Sequence, residues 1–504
     1  MTMKQIFRLL TVSVLFLFAC NPKPESARFL GQGMMAGEIT TNSALLQTRL
    51  TASDTLVAGP LTGMGGVVRF TGAETPDLQA APRLQSPWLP ARAANDFIVR
   101  YEVSGLQSNR RYYYQAEYGP DETQTHISRT GTFRTHAGSD IAAPFSFAVV
   151  TGMNYYHFHY GNYDESARYQ GPDKALGYPA LETIARFSPD YFIGTGDNVY
   201  FDHPAVRDFE RAKERGKNPL PGLFGGKEVT DEQGMRRKYH VQFVQPRFRD
   251  LFLQVGTYWE KDDHDYRLND SYPGMDFPIS HKLGIKNFRE QLPVVKQGDD
   301  ASPTYRTHRL SRDAQIWLLE GRDYRSDNTM EDGPEKTLWG AAQKAWLQQT
   351  LLESDATFKF IITPTPMVGP DDAYKRDNHV NPEGFRHEGE AFFAWLTENG
   401  FLQKNLYLIC GDRHWQYHAV HPSGFEEFST GALVDANSRA GRVAGDPQST
   451  DPEGKIKQPY IQGSPEQASG GLPLGDGGSR GVVFSFYCEL GAQLYPTSKA
   501  PVDP

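Results

Sequence analysis

The chain has 504 residues, 38% hydrophobic and 22% charged, with 25 Tyr and 30 Phe, which is enough for more than one domain and a large core. Its net charge of -9 argues against general nucleic-acid binding, where a broad basic surface is expected. It does not exclude a small basic pocket.

The N-terminus reads as a targeting segment. Lys4 and Arg8 form a short basic region, and the apolar run 9–19 is too short for a permanent membrane span. Leu17-Phe18-Ala19-Cys20 resembles a bacterial lipobox, with polar residues directly after it. That resemblance implies cleavage of residues 1–20 before Cys20 and lipidation of its thiol. The product would be an envelope lipoprotein on the periplasmic or cell-surface side, tethered to the membrane by acyl chains and otherwise soluble. The alternative is an ordinary signal peptide with a chance Cys. Cys410 and Cys488 could pair in an oxidising compartment. The apolar run 406–410 makes Cys410 read instead as a buried thiol used as a small hydrophobe.

Residues 21–29 form a tether, and 30–136 read as all-β. The segments 37–40, 44–50 and 96–103 alternate in the manner of strands. The run 104–116 (SGLQSNRRYYYQA) resembles the tyrosine corner of fibronectin type III domains, with Ser108 in place of the usual Pro, and 131–135 fits the closing strand. After a linker at 139–144 the pattern becomes α/β over 143–495. Strands are expected at 145–150, 191–193, 304–310, 316–320, 358–362, 406–410 and 481–490. Helices are expected at 179–187, 340–354 and 391–398. On the 340–354 helix, Ala342, Trp346, Leu347, Thr350 and Leu351 form the predicted apolar face. Residues 204–240 read as a surface insertion or lid, and 440–480 as a loop with little regular structure.

Chemistry gathers where the strands end. In 191–202 (YFIGTGDNVYFD) an apolar run breaks at Gly194-Thr195-Gly196, placing Asp197 at a carboxyl edge, where α/β proteins bind ligands. Tyr200 lies three residues on. A carboxylate and a phenol converging on one point suit a hard cation, although an Asp after a strand more commonly caps the next helix. The segment 259–266 (WEKDDHDY) sets Asp262, Asp263 and Asp265 around His264, a density of like charge best tolerated beside cations, although a solvated acidic loop with a stray His is the alternative that locality alone favours. Arg322 ends another strand and reads as a fork for phosphate oxygens, or else as a salt-bridge partner of nearby acids. Asp412 and His414 end a fourth.

The order GDNVY, WEKDDHD, GRDYR, GAAQKAWLQQTLLES, CGDRHW is similar to that of the PhoD-like alkaline phosphatases of the calcineurin-like metallophosphoesterase superfamily. The likeness covers about 140–490, and the 30–136 sandwich resembles that family's N-terminal domain. It implies an α/β sandwich of two mixed sheets with metals at the strand ends, acting on small phosphate esters through a hydroxide held between two cations. Residue by residue, it implies Asp197 as the metal bridge and Tyr200 as the phenolate ligand, with Asp263, Asp412 and His414 as further ligands. It makes Asp262 a ligand or a support for one, His264 the group beside the leaving oxygen, and Arg322, or else Arg325, the holder of substrate oxygens. Calcium and iron are the implied ions, and the chain reads as a monomer.

One departure stands out. The family's first strand usually ends in Ser-Cys, whose thiolate binds iron. Thr151-Gly152 occupies that place, which makes Mn or Zn easier to accommodate and leaves Asn154, His157 and His159 as candidate substitutes. Two other readings remain at this stage. One is a non-catalytic metal- or glycan-binding lipoprotein on the same fold. The other is a hydrolase of a different ester, such as a sulfate, with Thr151 as nucleophile.

Overall fold

The computed structural model describes residues 27–56, 61–78, 84–462 and 472–502. The expected leader, residues 1–20, with Cys20, lies outside them.

Two large sheets pack face to face. The nine-stranded sheet runs, in spatial order, Gln493–Lys499, Gly481–Tyr487, Leu472–Gly478, Phe145–Val150, Tyr191–Thr195, Gly256–Glu260, Met34–Gly37, Ser43–Arg49 and Ile98–Ser104. The seven-stranded sheet runs Arg306–Ser311, Ala314–Leu318, Phe358–Thr363, Leu406–Cys410, Glu426–Thr430, Gln416–Val420 and Lys457–Ile461. Strands 145–150, 191–195 and 256–260 are parallel, as are 314–318, 358–363, 406–410 and 426–430. Both sheets therefore direct carboxyl ends toward a common rim.

Alternation along the strands explains the layering. Ile193 shares the core between the sheets with Phe147 of the neighbouring strand and with Ile316, Phe360 and Ile409. Its neighbour Phe192 turns outward to pack with Leu181, Ile184 and Phe252 of the covering helices. On the other side, Trp317, Ile361 and Leu408 meet Leu347, Leu351 and Phe393. Strands buried on both faces read as continuous apolar runs, which is why 145–150, 191–195 and 406–410 were legible.

The N-terminal sandwich is real but shares a sheet with its neighbour. Strands 66–73, 111–119 and 131–134, with three short ones, form a separate six-stranded sheet. The facing sheet, 34–37, 43–49 and 98–104, continues the nine-stranded sheet through Ala36 paired with Gly256. Arg100 clamps the junction. Its fully buried guanidinium donates to the carbonyls of Arg289, Glu290, Leu292 and Val295 and to Gln47 Oε1, at 2.7–3.0 Å.

Three expectations need correction. The 204–240 segment is not merely a surface element, because its helix Glu232–Phe243 buries Met235, Tyr239 and Phe243 in the core. The 440–480 segment contains two strands that complete the sheets, Lys457–Ile461 and Leu472–Gly478. On helix Gly340–Glu353 the buried stripe is Gln343, Leu347 and Leu351, while Ala342 is exposed. Gln343 is drawn inward because its amide bonds both the N–H and the C=O of Glu320. Cys410 is buried with its sulfur 3.3 Å from Tyr417 Oη, and Cys488 is also unpaired.

Candidate metal centre

Asp197 and Asp412 follow the last residues of their strands with φ of 54° and 58°. A left-handed conformation is uncommon outside glycine and clusters at functional sites. Asp412 Oδ2 accepts a hydrogen bond from Arg413 Nη1 at 2.6 Å. Asp197 Oδ2, Tyr200 Oη and His414 Nε2 form a triangle with sides of 2.8, 3.1 and 3.2 Å. Neighbouring ligands on one cation with bonds of about 2.1 Å stand roughly 3.0–3.4 Å apart, so this triad fits a single ion. Among the described residues, Asp197 Oδ1, Asp262 Oδ2 and Asp377 Oδ2 are buried without a hydrogen bond. Ligand atoms of Asp197, Asp263 and His264 also lie within 4.8 Å of one another.

The electrostatics agree with a site built for positive charge. Burial raises the Asp197 carboxyl to about 7, with Asp263 adding to the rise and His264 opposing it. Burial and Asp197 push the Tyr200 phenol well above its ordinary value. Burial, helped by Arg439, lowers His414 to about 3, leaving it neutral and able to offer a lone pair. His264 behaves oppositely: burial disfavours its charge, yet Asp202, Asp263 and Asp197 hold it well above the usual imidazole range. Its Nδ1 lies 2.7 and 2.9 Å from the two Asp202 oxygens. A carboxylate only accepts, so Nδ1 carries the proton and Nε2 is the atom left for chemistry.

Arg322 does not stand open for substrate. It is fully buried, donating from Nε to Asp262 Oδ1 at 2.7 Å and from Nη1 to the Ser271 carbonyl at 2.9 Å. Arg325 is likewise engaged, with the Gly321 carbonyl and Asn328. Asn154 caps helix Tyr155–Tyr160 and gives its Nδ2 to His203 Nδ1 and Asn437. His157 Nδ1 also bonds Asn437, and His159 Nε2 lies 3.3 Å from Gln245 Oε1. Thr151 Oγ1 is buried and donates to the Gly196 carbonyl at 3.0 Å, which removes it as a nucleophile.

The sequence pattern left several site residues unassigned. Asp202 lay inside the 191–202 stretch without a role. Asp270, Lys375 and Asp377 come from polar loops, and Asn437 from the short turn Asp435–Asn437. Ligand atoms of Asp263, Asp270 and Asp377 lie within 4.8 Å, but this group has its own cations. Lys375 Nζ is 3.0 Å from Asp270 Oδ1, and Arg322, Arg325 and Arg413 also act on Asp377.

Two facing mixed sheets with carboxylates, a phenol and imidazoles at the strand ends are the arrangement expected of a metallophosphoesterase fold. Family comparison refines this: residues 147–461 match the PhoD-like phosphatase model and residues 19–137 the PhoD-like phosphatase N-terminal domain. The chain belongs to the PhoD-like phosphatase family, whose members hydrolyse phosphoric esters with several metal ions. Among solved structures it is similar to one described as PhoD, with a TM-score of 0.71 and 16% identity, covering 94% of this chain and 89% of that one. A purple acid phosphatase, PPD1, from yellow lupin (Lupinus luteus) seeds shares the fold at a TM-score of 0.58 and 9% identity, covering 94% and 74%. No curated protein matches the sequence.

Proposed function

We propose that this phosphatase hydrolyses small phosphate monoesters or diesters with two or more cations. In this reading Asp197, Tyr200 and His414 hold one, and Asp197, Asp263 and Asp412 hold another. The observation that carries the reading is the triangle of Asp197 Oδ2, Tyr200 Oη and His414 Nε2. Bound cations supply Lewis acidity for the phosphoryl oxygens and lower the pKa of water. The protein's own groups do the rest. Asp202 fixes the His264 ring through Nδ1, so that the Nε2 proton can pass to the leaving oxygen. Arg322 orients Asp262 rather than touching substrate. The donor set holds no sulfur, which suits Ca, Mn, Zn or Fe(III) better than a softer ion.

We also propose a monomer lipid-anchored through Cys20 at the bacterial cell envelope. The support is the lipobox-like sequence alone. Among the described residues, no helix is long and apolar enough to cross a membrane.

The test uses protein beginning after Cys20, stripped of metal and assayed on p-nitrophenyl phosphate and bis-p-nitrophenyl phosphate. Ca, Mn, Zn and Fe are returned singly and in pairs. Restored turnover is expected and ranks monoester against diester. Silence with every metal, in protein that still binds them, would leave a binding protein in place of an enzyme.

A further inference from the structure

Gly152 lies two residues past strand Phe145–Val150, with φ of +69°, and an added Cβ there would stand 2.8 Å from the Cβ of Ala432. No side chain fits there without a shift. Asn437 instead occupies the space beside the Tyr200 oxygen, and it is 5% exposed. Its Nδ2 lies 2.7 Å from Tyr200 Oη and 3.3 Å from the Gly152 carbonyl. A carbonyl only accepts, so the atom facing both must be the amide nitrogen.

The rest of the network fixes the same orientation. Asn154 Oδ1 accepts from the His157 backbone N–H at 3.0 Å, so Asn154 Nδ2 is a donor. It donates to Asn437 Oδ1 at 3.1 Å, and His157 Nδ1 lies 2.8 Å from that oxygen. Asn437 thus receives two hydrogen bonds on its oxygen and gives one to Tyr200. Tyr200 in turn gives its proton to Asp197 at 2.8 Å. Every proton along this line has one direction.

We propose that Asn437 is the positioning residue for the Tyr200 oxygen, standing where a side chain at 152 would otherwise reach. The proposal rests on the reading of Tyr200 as a metal ligand. Asn437 acts through Tyr200 and touches no substrate. Its N–H bond persists when the phenol proton is lost, and then becomes charge-assisted. It therefore sets both the direction and the electron richness of the phenolate oxygen.

The test loads metal-free protein with Fe(III) and reads the phenolate-to-iron absorption band together with iron affinity. The variants are Asn437→Ala and Asn437→Leu. The second keeps the volume and carries the test if the first does not fold. Both should move the band to longer wavelength, because a phenolate without that donor holds its electrons less tightly. Both should weaken iron binding about tenfold, the scale for losing a group that orients a ligand. Wild-type wavelength and affinity in both variants would overturn the proposal. Tyr200→Phe separates the underlying reading: an unchanged band and affinity there would show that Tyr200 is no ligand, whatever Asn437 does.

Discussion

Two acidic clusters meet at the rim of the sheets, and they differ in who answers their charge. Asp263, Asp270 and Asp377 look like a metal site by ligand spacing, yet Lys375, Arg322, Arg325 and Arg413 surround them. Against the effect of burial, those cations hold Asp377 below the ordinary carboxylate range. Among the described residues no Lys or Arg pairs with Asp197, Tyr200 or His414, whereas a buried carboxylate oxygen without a hydrogen bond occurs in both clusters, Asp197 Oδ1 in one and Asp377 Oδ2 in the other. Density of carboxylates is therefore a poor guide to a metal. Whether Lys or Arg side chains already neutralise those carboxylates is a better one.

The sharpest way to break the comparison is Asp197→Asn. It should lose bound metal and lower kcat/KM by about a thousandfold or more, measured by elemental analysis and phosphate-ester turnover. Full activity in that variant would end the two-metal reading. Lys375→Met addresses the other cluster. It should lower stability by about 3 kcal/mol in thermal or urea unfolding, because it leaves buried carboxylates without their partner. Metal content should not fall; if it does, the two clusters are one site. Arg322→Met is expected to reduce metal affinity or kcat by about 10–100-fold through Asp262. A rise in KM with kcat unchanged would instead return Arg322 to the substrate.

The smallest effect concerns a carboxylate whose partners all come from the protein. Glu388 accepts hydrogen bonds from His379 Nε2, Thr337 Oγ1 and the Leu338 N–H. Burial opposes its charge, but His379 and the other donors lower it from 4.5 to about 2. A folded-state pKa below the unfolded one means the ionised form stabilises the fold above pH 4.5. That contribution is lost as pH falls toward 2. Glu388→Gln should therefore cost about 2 kcal/mol at neutral pH. The gap to the wild type should close between pH 4.5 and 2 in unfolding curves. A gap independent of pH would contradict the assignment.

Much of the site was legible because it is written locally. An apolar run followed by Gly-Asp marks Asp197 and Asp412, Tyr200 and His414 fall within three residues of such an aspartate, and His264 is flanked by Asp263 and Asp265. What the sequence withheld is long-range. Asp377 meets Asp263 from more than a hundred residues away, and Asn437 meets Tyr200 at a separation of 237. Neither carries a period or motif. For Arg322 the sequence leaves a phosphate fork and a salt bridge both open, because its strand end is visible while Asp262, its partner 60 residues earlier, is not visibly aimed at it. Strands 457–461 and 472–478 were missed because Gly, Pro and Ser dominate their surroundings, and pairing in the sheet outweighs that composition. The shared sheet was invisible for the same reason: no local pattern specifies that Ala36 pairs with Gly256.

One measurement bears most directly on the contrast between the clusters. Crystals of the wild-type protein soaked in Mn(II) would be examined by anomalous diffraction at the manganese edge. The expected result is a peak within bonding distance of Asp197, Tyr200 and His414, and none enclosed by Asp263, Asp270 and Asp377. A peak only in the second cluster, with Lys375 displaced, would contradict the account.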